Sequence, residues 1–93
     1  METKYFPGQI QKYVRLPGNE IVVFSKSIEH LAFKHLNPIT AGSCIIDATK
    51  KKVHCFGLSI TLLLQADEVE DTRLTTSQIF GDEMHQGLKN ETR

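Results

Sequence analysis

The stretch Ser43-Cys44-Ile45-Ile46-Asp47-Ala48-Thr49-Lys50-Lys51-Lys52-Val53-His54-Cys55-Phe56-Gly57 decides the fold. Two runs of β-branched and other apolar residues flank a polar, lysine-rich segment, the pattern of a hairpin. With an even loop, Asp47 closes against Lys52, Ile46 faces Val53 and Cys44 faces Cys55. Cys44, Ile46, Val53 and Cys55 then share one face, and Ile45, Asp47, Lys52, His54 and Phe56 share the other. An odd loop would mix the two sets, because a slip of one residue turns every side chain of a strand to the opposite face. The even loop is therefore the expected register. A hairpin with one apolar face needs further elements to cover it, so the neighbouring sequence must supply them.

Upstream, Ile10 to Leu16 alternates in the period of a half-buried strand, and Pro17-Gly18-Asn19 is a turn sequence. Glu20-Ile21-Val22-Val23-Phe24 follows as a second strand, rich in residues that suit a pleated surface. Closing Leu16 opposite Ile21 and Val14 opposite Val23 makes an aliphatic face of Val14, Leu16, Ile21 and Val23. Ser25 and Ser27 are both potential N-caps, and Ile28, Leu31, Ala32, His35 and Leu36 draw one apolar helical stripe. Asn37-Pro38 ends that helix, which is expected over residues 26–36. Phe33 points ~140° from the centre of the stripe and is left over as apolar surface.

Downstream of Gly57, Leu58 to Leu64 either extends the strand or begins an irregular segment. Asp67, Glu68, Glu70 and Asp71 suit the first turn of a helix, where carboxylates meet the positive end of its dipole. Val69, Thr72, Thr76, Ile79 and Phe80 give that helix a thin stripe; alternatively it starts at Thr75 or Thr76 and reaches Met84. The expected order is ββαββα: an α+β domain over residues 1–81, with a polar tail at 82–93. Its sheet has four to five mainly antiparallel strands, and its two helices pack on one face.

The 93 residues are 40% hydrophobic and 24% charged, proportions that belong to a globular domain. Eleven basic residues balance eleven acidic ones, so the charge footprint that draws nucleic acid is missing. The balance is uneven along the chain. Residues 1–64 carry eight basic against four acidic side chains, and residues 65–93 carry three against seven. An acidic C-terminal element lying over a basic sheet, or an association of two copies, would satisfy that asymmetry. Ile60 to Leu64 is too short to span a bilayer and no signal sequence is evident, so a cytoplasmic protein without a membrane partner is expected.

Candidate chemistry is sparse. Cys44 and Cys55 are too few for a disulfide framework and lack zinc-site spacing, so both read as small core residues, with a cross-strand bridge as the alternative. His30 and His35 lie ~140° apart on a helix and cannot share a ligand, so no metal and no cofactor are expected. His35 reads as a core residue, His30 as a surface one, and His54 shares a face with Asp47. Lys50 to Lys52 at a hairpin tip suits strand-edge protection. No glycine-rich phosphate loop and no nucleophile elbow occurs.

The order ββαββα, with Lys12-Tyr13-Val14 in the first strand, Glu20-Ile21-Val22 opening the second and Glu29-His30 at the helix start, resembles the janus/protein histidine phosphatase family. Lys51-Lys52-Val53-His54-Cys55-Phe56-Gly57-x-Ser59 is similar to that family's Lys-x-Ile-x-Val-Tyr-Gly-x-Ser stretch, and the resemblance covers residues 12–60. It implies His30 as general base and Ser59 as a phosphate contact. This sequence departs from the family where a glycine-rich segment and an arginine should precede the second hairpin: here stands Thr40-Ala41-Gly42-Ser43-Cys44. The small-residue loop after the serine is replaced by Ile60-Thr61-Leu62-Leu63-Leu64. The surplus of apolar surface instead points to a non-enzymatic module that binds a small molecule or a protein and acts as a homodimer, with the phosphohistidine phosphatase-like hydrolase as the alternative.

Overall fold

The computed structural model describes residues 10–81; the tail at 82–93, with Met84 and His85, lies outside the described residues. Strands β1 (Ile10–Arg15), β2 (Ile21–Phe24), β3 (Thr40–Asp47) and β4 (Lys52–Phe56) form one antiparallel sheet in the order β2-β1-β3-β4. A short ribbon of β5 (Leu58–Ser59) and β6 (Leu64–Gln65) follows, and α1 (Glu68–Phe80) completes the chain. The fold class is α+β, as expected, with the ribbon in place of a fifth strand of the main sheet.

The β3–β4 hairpin has the even register, with Cys44 opposite Cys55, Ile46 opposite Val53 and Asp47 opposite Lys52. Cys44, Ile46, Val53 and Cys55 are all buried, and the Asp47 carboxylate accepts from the Lys50 amide at 3.1 Å to shape the turn. The first hairpin is shifted by one residue from expectation: Arg15 pairs with Ile21 and Val14 with Val22. Its loop has three residues, closed by Asn19 N–H to the Leu16 carbonyl and Leu16 N–H to the Glu20 carbonyl, both 2.8 Å. Gly18 and Asn19 both take positive φ, 92° and 71°, which this three-residue connection requires and which Gly and Asn tolerate best.

That shift divides the apolar residues between two faces. Tyr13, Ile21 and Val23 join Cys44, Ile46, Val53 and Cys55 on one face, under Leu74 and Phe80 of α1. Val14, Phe24 and Ala41 form a second cluster on the other face, with Leu16, Val22, Phe33, Leu62 and Leu64. The helical elements therefore lie on opposite faces of the sheet, and the expectation of two helices on one face is corrected.

The helix expected over 26–36 is a 3₁₀ helix over His30–Leu36. The Ser25 hydroxyl accepts from the Ser27 amide at 3.1 Å and the Ser25 carbonyl from the Ile28 amide at 2.9 Å, so the serines build a turn instead of an N-cap. Glu29 is extended, and Asn37, in the left-handed region at φ 59°, closes the segment before Pro38. A 3₁₀ repeat of three residues per turn aligns His30, Phe33 and Leu36 on one ridge. Phe33 consequently packs on Phe24, with ring centroids 4.4 Å apart, while Ile28, Leu31 and Leu36 of the expected stripe are exposed.

Helix α1 begins where the acidic group predicts, and the later start at Thr75 or Thr76 is not taken. Asp67 is its N-cap, accepting from the Glu70 amide at 3.3 Å. Its inward residues differ from expectation: Val69 and Ile79 are exposed, and Asp71 and Thr75 are fully buried. The helix docks largely through polar side chains.

Candidate functional site

Asp71 is the most heavily coordinated side chain of the described residues. Its carboxylate accepts from the Tyr13 hydroxyl, from Arg15 Nη1 at 2.8 Å, from Thr40 Oγ1 at 2.7 Å and from its own helix's Asp67 amide at 3.0 Å. Tyr13 and Arg15 are alternate residues of β1 and point to the same face, and Thr40 opens β3 directly opposite Arg15. The arrangement ties the first turn of α1 to the two central strands. Burial, together with the adjoining carboxylate, raises the Tyr13 phenol well above its ordinary range, so the proton stays on the tyrosine. Arg15 Nε is buried without a partner, and its Nη1 donates to Asp71 Oδ1 at 2.8 Å. With four donors converging on the Asp71 carboxylate and Asp71 inaccessible to solvent, this cluster is a docking joint for α1. The basic strand against an acidic helix anticipates its sign, while the burial of Asp71 is not visible in a helix start that reads as a solvated acidic turn.

Two side chains of α1 also close the edges of the sheet. Gln78 accepts from the Ile21 amide at 2.9 Å and donates to the Ile21 carbonyl at 2.5 Å, occupying the outer edge of β2. Thr72 Oγ1 accepts from the Cys55 amide at 2.9 Å on the outer edge of β4. Both strand edges are thereby partly blocked against pairing with another chain.

The residues implied by the family resemblance occupy separate structural roles. His30 is only 6% exposed; its Nε2 donates to the Gly42 carbonyl at 2.9 Å and its ring meets Phe24 edge-on at 5.5 Å. It is a core residue, and the surface position expected for it is corrected. His35 is exposed, the reverse of its expected core position. Ser59 is 2% exposed, and its hydroxyl accepts from the Leu62 amide at 3.2 Å within the turn between β5 and β6. His54 shares its sheet face with Asp47, as expected, and its ring stacks on Phe56 with centroids 5.4 Å apart. No group of three or more His, Cys, Asp or Glu side chains is gathered as a metal site among the described residues. No described helix is long and apolar enough to cross a membrane.

The apolar surface surplus is concentrated at the β5–β6 turn. Leu62 and Leu64 root the turn in the second core cluster, and the Ser59 hydroxyl fixes its backbone. Between them Ile60 and Leu63 are turned outward, 78% and 87% exposed, with Leu58 beside them at 51%. Leu63 is held at φ 58°, a left-handed conformation that costs a bulky residue on the order of 1–2 kcal/mol. Shallow grooves flank it. Leu63 is a wall of both: one, of about 270 Å³, also touches Leu58, Ser59, Ile60, Leu64 and Gln65, and the other, of about 290 Å³, runs past Thr61 and Leu62 to Asn37, Pro38 and Lys34. Lys34 is the one charged side chain in either lining. Among relatives, no family model, no curated protein and no solved structure matches the chain.

Proposed function

We propose that this domain is a non-enzymatic protein-binding module that acts as a homodimer, and that the β5–β6 turn is its contact surface. The observation that carries the reading is a protruding leucine, Leu63, on a turn held by the Ser59 hydroxyl, with an apolar groove on one side and a mixed groove reaching Lys34 and Asn37 on the other. A two-fold interface needs a surface that is its own complement, and a knob beside a hole meets that need: Leu63 of each copy enters a groove of the other. The linings are depleted in charge, as the centres of protein interfaces are. The chain's zero formal charge does not oppose association of two copies.

A hydrolase working through His30 would require an available ring nitrogen in a cleft. In this structure Nε2 is committed to the Gly42 carbonyl, and Ser59 supports a turn. Those commitments favour the binding reading. The test is the molar mass in solution by light scattering across a concentration series, for the natural chain and for Leu63→Asp. The binding reading expects a dimer that the substitution converts to a folded monomer. Phosphatase activity on a phosphohistidine substrate that disappears in His30→Ala would overturn the non-enzymatic part of the reading.

A further inference from the structure

We propose that Cys44 and Cys55 form a gated dithiol, which closes to an intramolecular disulfide when a peroxide reaches it, and that α1 is the gate. The two cysteines lie on the face of the sheet opposite the one in which the β5–β6 turn is rooted. The two cysteines are direct cross-strand partners, both free thiols, both fully buried on the same face. The Cys55 amide is bonded to Thr72 on the outer edge of β4 and so points away from β3. Cys44 and Cys55 are therefore a non-hydrogen-bonded pair, the closer of the two antiparallel spacings at ~4.5 Å between Cα atoms. That separation lies at the short end of the range a disulfide spans.

The same contacts show what keeps the pair reduced. Thr72 and Thr75 of α1 cover Cys55: Thr72 Oγ1 accepts a hydrogen bond from its amide, and Thr75 Oγ1 lies 3.5 Å from its sulfur. Burial, and then the neighbouring thiol, push Cys44 up to about 12, and burial raises Cys55 as well. The thiolate is the reactive form, so the closed domain presents almost none of it. Lifting α1 exposes and hydrates both sulfurs, and the joint at Asp71 sets the cost of lifting it.

The chemistry balances with peroxide as the oxidant. One thiolate attacks a peroxide oxygen, the O–O bond breaks, and a sulfenic acid forms as hydroxide leaves and takes up a proton. The second thiol then attacks the sulfenic sulfur, the S–O bond breaks, the S–S bond forms, and a second water departs. Each sulfur loses one electron and the peroxide gains two.

The full chain is treated with hydrogen peroxide at neutral pH, unfolded without reductant in an alkylating reagent, and weighed. The expected product is a monomer lighter by two hydrogens, with a tryptic linkage between the peptides holding Cys44 and Cys55. Its rate should rise roughly tenfold or more in Asp71→Asn, because a joint that has lost part of its bonding opens more often. Thr72→Val and sub-denaturing urea on the natural chain give the same comparison should Asp71→Asn fail to fold. Two free thiols after prolonged exposure in urea would overturn the proposal, as would sulfinic or sulfonic acids or inter-chain bridges as the only products. A rate indifferent to Thr72→Val and to urea would overturn the gate.

Discussion

Tyr13 shows how one side chain serves packing and hydrogen bonding together. Its ring fills the core under α1, and its hydroxyl is one of four donors to Asp71. Removing the hydroxyl leaves an acceptor of a buried carboxylate short of a partner, which costs ~1–3 kcal/mol. Tyr13→Phe should therefore lower the urea midpoint by that equivalent with an unchanged denaturant slope, as measured by circular dichroism. The buried acids of this core also fix a pH dependence. Tyr13 and Cys44 are held above their ordinary values in the folded state, Cys44 moving from 9.0 to about 12, so the native state retains protons that the unfolded chain releases. A raised group contributes stability in full below its unfolded pKa and loses it as pH climbs through the folded one. Unfolding free energy should consequently be level up to about pH 9 and decline beyond it. Urea titrations between pH 8 and pH 11 check this; a stability that rises with alkali would contradict it.

At the scale of elements, α1 contributes more through polar contacts than through its thin apolar stripe. Gln78 occupies both backbone groups of Ile21 on the edge of β2. Gln78→Ala should cost ~1–2 kcal/mol, two part-buried hydrogen bonds' worth, and should quicken hydrogen exchange at Ile21 more than at Cys44 in the centre of the sheet. The β3–β4 hairpin was legible in the sequence because only one of its faces is uniformly apolar, so a single register separates the residues cleanly. The first hairpin was not, because both of its faces are covered: an aliphatic pattern fits either register, and the three-residue loop with positive φ at Asn19 decides. The helix expected from Ile28, Leu31 and Leu36 misled for a related reason. Periodicity presumes 3.6 residues per turn, whereas the 3₁₀ geometry buries His30, half-buries Phe33 against the second cluster and leaves the stripe outside. The same change of period carried His30 from the surface into the core. At α1, acids near a helix start fit a solvated first turn equally well, and only the pairing of β1 with β3 brings Tyr13, Arg15 and Thr40 onto Asp71.

For the whole molecule, a sheet covered on both faces explains how 72 described residues sustain two clusters of core residues, and why the coverage is incomplete. The second face is roofed by one 3₁₀ helix and a ribbon of two two-residue strands, which leave Leu31, Leu58, Ile60 and Leu63 in solvent. Exposed apolar side chains on a rigid turn, with grooves beside them, are what a second copy would cover. The strand edges offer that assembly less, since Gln78 caps β2 at Ile21 and Thr72 caps β4 at Cys55. Association through the β5–β6 turn is tested most directly by sedimentation equilibrium of the natural chain and of Leu63→Asp: twice the chain mass is expected for the first and the chain mass for the second, with identical circular dichroism. A natural chain that stays monomeric at every concentration, or a Leu63→Asp chain that still dimerises, would contradict it.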